Sequence, residues 1–451
     1  MKNGIGAGTI VAYSAPMVPI WMLHTPALSI LPGIYATVSG VDLATIGLIL
    51  MLSRVLDGVT DPLIGMLSDK TKSRLGRRKP WVLAGSLLCM IGVWFWFRPG
   101  PDTGALYFLL ASMAVYIGWT MVEIPHGAWL SELAPEYSQR SHISGYRTTA
   151  IYLGYVVFWL GPFLPFFPTT EITPEVTSFL SWVVIVLLFI TVTIAVIKVP
   201  LGRSLETEPV DLRAALSGFL RNKPMRLFAV ILLSSWLSSG MVAGLYYFFV
   251  SAYLLIPAKF GHIGLAVAAI GFFSASLWGW IGSKIGKHRV LAICNLSTVL
   301  SLIAMGLIRP GANAFIALLT IFCLASLFTA GSTVGYYALM GDIVDYDELK
   351  TGSNKAGNYF ALITLFQKIG LGAGAGVALL ITSLFGFDPN SVNEGMALTG
   401  FFVAFIGIPV VLNLAAFVLA LLFPITEARH QVIRKRLDSR AVRAAVATAG
   451  Q

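Results

Sequence analysis

The chain has 451 residues, 57% of them hydrophobic and only 12% charged, against roughly a quarter charged in an ordinary soluble domain. A net charge of +10 would raise the question of nucleic acid in a soluble protein, but here the bases lie in short stretches between long apolar runs and report membrane topology. No catalytic triad, phosphate loop or metal-ligand spacing is found in the polar segments, and Cys89, Cys294 and Cys323 all lie inside apolar segments, which argues against an enzyme and against any cofactor.

A helix crosses a bilayer with about 20 apolar residues, and the sequence predicts an all-α polytopic membrane protein of twelve transmembrane helices. They fall near 8–37, 45–68, 81–98, 104–133, 144–166 and 177–198, then near 227–256, 261–283, 290–308, 313–340, 357–384 and 396–424. The first run follows Lys2 and continues past signal-peptide length without a small-residue cleavage pattern, so it is expected to be retained. Twelve crossings put both termini on one side. Lys and Arg mark cytoplasmic loops; alternate loops carry Lys70, Lys72, Arg74, Arg77, Arg78, Lys79, Arg140, Lys284, Lys287, Arg289, Lys350, Lys355 and the tail, whereas the opposite set holds only Arg98, Lys259 and Arg309. Both termini are therefore expected in the cytoplasm of a bacterial cell with the chain in its inner membrane.

The polar stretch with Arg203, Glu206, Glu208, Asp211, Arg213, Arg221 and Lys223 divides the chain into two pseudo-symmetric six-helix halves. The expected units are 1–198, a cytoplasmic connection 199–225, 226–424 and a basic cytoplasmic tail 425–451, whose Arg429, Arg434, Lys435, Arg436, Arg440 and Arg443 can meet anionic membrane lipid at about 1 kcal/mol per base. A repeated loop supports the division. Gly65 to Asp69 followed by Arg74, Gly76, Arg77, Arg78 and Lys79 is matched by Gly279 to Ser283 followed by Lys284, Gly286, Lys287 and Arg289. Both copies resemble the cytoplasmic loop of the major facilitator superfamily, with an insertion in the first and Ser283 in place of the acid in the second. The resemblance implies a major facilitator fold with a substrate site between the halves.

A charge at the centre of a membrane helix costs at least about 2.5–3.5 kcal/mol, so such residues are functional candidates. Helix 2 carries Arg54, Asp57 and Asp61, which share a face by their spacing of three and four. Pro62 frees the carbonyl of Gly58, and two carboxylates with a freed carbonyl suit a hard monovalent cation such as Na+, or H+ by protonation. Helix 4 carries Glu123 before Pro125, with the Thr120 hydroxyl one turn earlier as a further ligand. Arg147 on helix 5 and Lys368 on helix 11 join Arg54 to balance the three acids. The alternative is a set of ion pairs bracing the helices, although like charges one turn apart brace poorly unless something positive stands between them.

The run Arg54 to Gly65, the loop Arg74 to Trp81, Glu123-Ile124-Pro125 and the run Gly341 to Gly352 leading to Lys368 resemble the glycoside-pentoside-hexuronide:cation symporters. The motifs cover about a fifth of the chain. The resemblance implies that Asp57, Asp61 and Thr120 bind the coupling cation, that Glu123 and Arg147 hold sugar hydroxyls, and that Lys368 stands between the two sites. Thr60 takes the place of an asparagine of the family's cation site. The acid that sugar-transporting members carry in helix 1 is absent, His24 being the ionisable side chain there, and His126-Gly127 replaces the aromatic residue after the Glu-Ile-Pro run. Trp119 and Trp129 flank Glu123 as candidates to stack on a substrate ring, and His126, three residues from Glu123, is a further candidate contact. The run Gly370, Gly372, Gly374, Gly376 is expected to pack helices.

These features imply a monomeric secondary transporter that couples Na+ or H+ to a small solute, a glycoside or pentoside, by alternating access, with no nucleic-acid partner. An amphipathic solute such as a lysolipid is the alternative, favoured by the missing helix 1 acid; a third reading is a membrane receptor or scaffold without transport. Arg54 and Lys368 are expected to couple the sites. Asp69, Arg77 and Arg78 of the basic loop and Asp342 and Asp345 of the acidic run are expected to lock the two halves together at the inner gate, since neither cluster has an obvious partner elsewhere.

Overall fold

The computed structural model describes residues 5–134, 137–202, 219, 221–352 and 356–449. Lys2, Arg203, Glu206, Glu208, Asp211, Arg213 and Lys355 lie outside the described residues, as do the side chains of Ser283 and Arg443. Every regular element among the described residues is helical. In chain order they are α1 (Ala7–Ser14), α2 (Met17–Trp21), α3 (Leu31–Val38), α4 (Leu43–Lys70), α5 (Lys79–Trp96), α6 (Ala105–Leu133), α7 (Tyr137–Leu160) and α8 (Pro174–Lys198). There follow α9 (Lys223–Phe248), α10 (Phe260–Ile285), α11 (Lys287–Gly306), α12 (Ala314–Thr351), α13 (Ala356–Leu384), α14 (Gly395–Phe402), α15 (Ile408–Leu421) and α16 (Glu427–Ala449). Three π-helical segments, Pro26–Ile30, Phe249–Tyr253 and Val403–Gly407, join or end these elements.

Eleven helical segments of the described residues are long and apolar enough to cross a membrane. The expected twelfth, near 144–166, is α7, 24 residues long but diluted by Gln139, Arg140, His142 and Arg147. Helix 1 is a segmented column rather than one α-helix. Proline lacks an N–H and clashes with the carbonyl four residues back, so Pro16, Pro19 and Pro26 divide it into α1, α2 and the π segment. At the other extreme α12 runs eleven residues past the expected end at 340, to Thr351, and closes on Gly352, whose φ of 75° is the left-handed cap glycine favours. The acidic run is therefore helical, not a loop.

Glycines set the closest approaches. A Cβ on Gly47 of α4 would lie 2.7 Å from the carbonyl oxygen of Gly376 on α13, and one on Gly85 of α5 would lie 2.8 Å from that of Gly118 on α6. Cβ atoms on Gly370 and Gly374 of α13 would strike the α9 backbone near Trp236 and Leu237. The glycine run thus packs α13 between α4 and α9, as small residues do in membranes. Trp96, Phe108, Phe248 and Phe405 are enclosed, while Leu87, Ile91, Phe189 and Ile197 stand exposed, an apolar exterior suited to lipid. The tail forms α16, which docks on α12 with Ile433 buried and Arg440 donating to the Leu349 carbonyl at 3.3 Å.

Candidate functional site

The face of α4 predicted to carry Arg54, Asp57 and Asp61 turns inward, and Pro62 is accommodated without ending the helix. Asp57 is buried. Arg54 Nη1 meets Asp57 Oδ2 at 2.8 Å, and its guanidinium lies 4.3 Å from the ring centroid of Tyr116 on α6, a cation–π contact. The stem of Arg54 occupies the space where a Cβ on Gly372 would project. Asp61 Oδ2 accepts from Lys368 Nζ of α13 at 2.5 Å. The two like charges therefore alternate with two cations, which resolves the repulsion that the spacing alone leaves open.

Three buried polar atoms here have no hydrogen-bond partner, Asp61 Oδ1, Arg54 Nη2 and Tyr116 Oη. Such atoms are costly unless a ligand or a change of conformation satisfies them. Thr60 Oγ1 donates to the Leu56 carbonyl of its own helix at 2.9 Å. Thr120 is buried on α6, one turn from Tyr116 and nearly one from Glu123, and Gly58 faces Leu365 of α13 across a position where a Cβ would stand 3.9 Å away. Among the described residues no three of His, Cys, Asp and Glu converge to hold a metal ion. At Asp61 one carboxylate oxygen, Oδ1, is without a partner and the other, Oδ2, is held by the Lys368 ammonium.

Glu123 forms the second centre. Its Oε2 accepts from Trp119 Nε1 at 2.5 Å and its Oε1 from Arg147 Nη2 of α7 at 3.4 Å. Trp119 belongs to an aromatic cluster: Trp21 stacks on His24 with centroids 5.2 Å apart, and Trp21 meets Trp119 at 6.0 Å and Tyr155 at 5.9 Å, both edge-on. Arg54 reaches Tyr116 on α6, the helix that carries Glu123, so the helices bearing the two centres meet in one charged interior. Tyr116, Trp21 and Tyr155 are additions to the sequence-derived set. Tyr116 stands seven residues before Glu123 and Trp21 three before His24, spacings that put each pair on one helical face.

Two expected substrate contacts lie elsewhere. His126 is enclosed, its Nε2 2.7 Å from the Tyr13 carbonyl, while Tyr13 Oη donates to the His126 carbonyl at 2.8 Å and the rings stack at 4.2 Å. Trp129 is also enclosed and donates from Nε1 to the Pro200 carbonyl at 3.2 Å. Both brace α6 against α1 and the end of α8.

The basic loop and the acidic run, expected to lock when the inner gate closes, are not paired with each other in this conformation, and each cluster has nearer partners. Glu132 Oε1 at the end of α6 accepts from Arg77 Nε at 2.9 Å and Arg78 Nε at 2.7 Å, while Arg78 also pairs with Asp69 and donates to Ser68 Oγ. Asp342 accepts from Lys287 Nζ at 2.5 Å and lies 3.2 Å from His430 Nε2. Asp345 lies 2.8 Å from His430 Nε2 and 3.3 Å from Arg434 Nη1. The repeat is visible again: in each copy the loop bases close on an acid at the end of the helix that follows by one crossing, Glu132 in the first and Asp342 in the second.

A multi-pass helical bundle with this paired, charged interior is a membrane transporter of the major facilitator class, not an enzyme. The sequence matches the family model described as MFS/sugar transport protein over residues 12–427, and the chain belongs to that family. It is 24% identical to the glucuronide carrier protein homolog of Escherichia coli (strain K12), covering 98% of this chain and 97% of that one. It is 22% identical to the sodium-dependent lysophosphatidylcholine symporter 1 of Homo sapiens, covering 87% and 78% respectively. The crystal structure of the nucleoside transporter NupG superposes with a TM-score of 0.66 at 13% identity over 92% of this chain and 99% of that one, a likeness of fold alone.

Proposed function

We propose that the chain is a symporter that couples Na+ or H+ to a small polar solute of the glycoside class by alternating access, as a monomer in the bacterial inner membrane. The observation that carries this reading is the Lys368–Asp61 pair, 2.5 Å long and joining residues 307 apart in sequence, beside the Glu123–Arg147 pair. A cation arriving at Asp61 releases Lys368, and a solute arriving at Glu123 competes with Trp119 and Arg147 for its oxygens. Each ligand thereby loosens contacts that hold helices of residues 1–198 to one another or to helices of 226–424, the units we take as rocking halves.

The charged end, with the basic loops and tail, is assigned to the cytoplasm by the Lys and Arg distribution. At the opposite end Asn390 donates to the Thr37 carbonyl, Ser383 to Asp42 and Thr170 to the Ala258 carbonyl. These bonds support an inward-facing state closed on the outside. The similarity to a glucuronide carrier homolog supports the glycoside class. The similarity to a lysophosphatidylcholine symporter and the missing helix 1 acid favour a second reading, an amphipathic solute.

The test is uptake by vesicles under an imposed Na+ or H+ gradient, comparing glycosides, glucuronides and lysolipids. Gradient-driven accumulation of a glycoside that is lost in Asp57→Asn and Asp61→Asn supports the proposal. Accumulation that persists in the double variant refutes the cation assignment, and accumulation of lysolipids alone selects the second reading.

A further inference from the structure

A cavity of about 320 Å³ opens at the charged end, between the α4–α5 loop and the chain leaving α8 at Leu201 and Gly202. Among the described residues four bases line it, Lys72, Arg77, Arg78 and Lys79, and one acid, Glu132. Glu132 and Asp69 are engaged by the arginines. The lysines are left in excess. The ammonium of Lys79 has three donors, of which one goes to the Val196 carbonyl at 2.7 Å, and it lies 5.6 Å from the ring centroid of Trp129. Lys72 is exposed.

The rim is apolar. Leu75 and Leu201 are 45% and 55% exposed, and Leu201 rests on Gly76, whose φ of 80° holds the turn that opens the cavity. The cavity also stands at the start of α5, a membrane-spanning segment from Lys79 to Trp96, so its mouth lies at the boundary between lipid and water. A cationic floor with an apolar rim at that boundary matches a phosphate carrying acyl chains.

We propose that this cavity binds the phosphate headgroup of an anionic phospholipid of the adjacent leaflet, the acyl chains lying along Leu75 and Leu201. A soluble phosphate ester shares the headgroup chemistry but leaves both leucines in water. The occupant touches the basic loop and the first residues of the connection together, and so reports leaflet charge to the segment that joins the halves.

Native mass spectrometry of the full chain, extracted from vesicles of mixed phosphatidylglycerol and phosphatidylcholine, tests the site. Each basic contact near an anionic surface is worth about fivefold in affinity, so K72Q/K79Q should lower phosphatidylglycerol retention about 25-fold with phosphatidylcholine unchanged. The variant R309Q, at an exposed position at the opposite end of the bundle, should retain it. If the double variant fails to fold, K72Q alone, at an exposed position, should give about a fivefold loss. Wild-type retention in the folded loop variants, or an equal loss in R309Q, overturns the site. Displacement of phosphatidylglycerol by excess glycerol 3-phosphate assigns the cavity to a soluble ester and overturns the lipid.

Discussion

Replacing Lys368 with Gln separates the proposed coupling mechanism from simple helix bracing. The ammonium and the Asp61 carboxylate are 2.5 Å apart, with side chains 26% and 19% exposed. Breaking a fully buried pair costs about 3–5 kcal/mol, but partial exposure moves this one toward the range of a hydrogen bond to a charged group, about 1.5–3 kcal/mol. A cation binding at Asp61 must overcome that contact in the wild type and need not in K368Q. At about 1.4 kcal/mol per decade, Na+ affinity should therefore rise about tenfold to a hundredfold, while gradient-driven uptake falls because release of Lys368 no longer signals occupancy. Isothermal titration of Na+ into purified protein, and of protons by its pH dependence, measures the affinity. The double variant D61N/K368Q should regain thermal stability relative to K368Q but bind no cation. Unchanged or weaker cation binding in K368Q would refute competition for Asp61.

Other outcomes follow from neighbouring geometry. E123Q should weaken solute binding at least tenfold while leaving cation affinity within about twofold, since about 1.4 kcal/mol per decade is within what a charge-assisted hydrogen bond supplies; equal loss of both in titration would make Glu123 a bracing residue. G372A places a methyl group on the Arg54 stem and should cost about 1–3 kcal/mol as overpacking, read as a lowered Tm, and an unchanged Tm would show that Arg54 is free to move aside. D342N/D345N removes the acids that hold His430 and Arg434 and should speed tryptic cleavage within α16, an effect whose absence would mean that Ile433 packing alone retains the tail.

The helix 2 charges were legible because spacings of three and four project onto one face whatever surrounds the helix. Their partner was not legible by spacing: Lys368 is 307 residues away, and charge balance and family resemblance placed it only among the cations between the two sites, not on Asp61. His126 and Trp129 show what spacing omits. Trp129 is six residues past Glu123, about 9 Å along the axis at 1.5 Å per residue, which carries it out of the interior and toward the basic loop. His126 is taken by Tyr13 of α1, a contact that periodicity does not encode. Trp21 was not linked to the site, and His24 was noted only as the ionisable side chain of helix 1, because the prolines that segment this helix interrupt its regular face. The acidic run reads as a loop by composition, yet α12 continues through it because Asp342 and Asp345 find cations on α11 and α16.

The π segments bear on how such a chain can vary. In an ordinary spanning helix, adding or losing one residue turns everything beyond it by about 100°, so a side chain that faced the interior faces lipid. A π turn already holds one residue more than the α turn it replaces and closes its bonds from i to i+5. Removing one residue from Pro26–Ile30 would therefore restore an α turn while Trp21 and His24 before it and Tyr35 after it keep their faces. Phe249–Tyr253 and Val403–Gly407 offer the same latitude. In this fold, spanning helices can change length by single residues during descent at these three turns, without turning their functional side chains away from the interior.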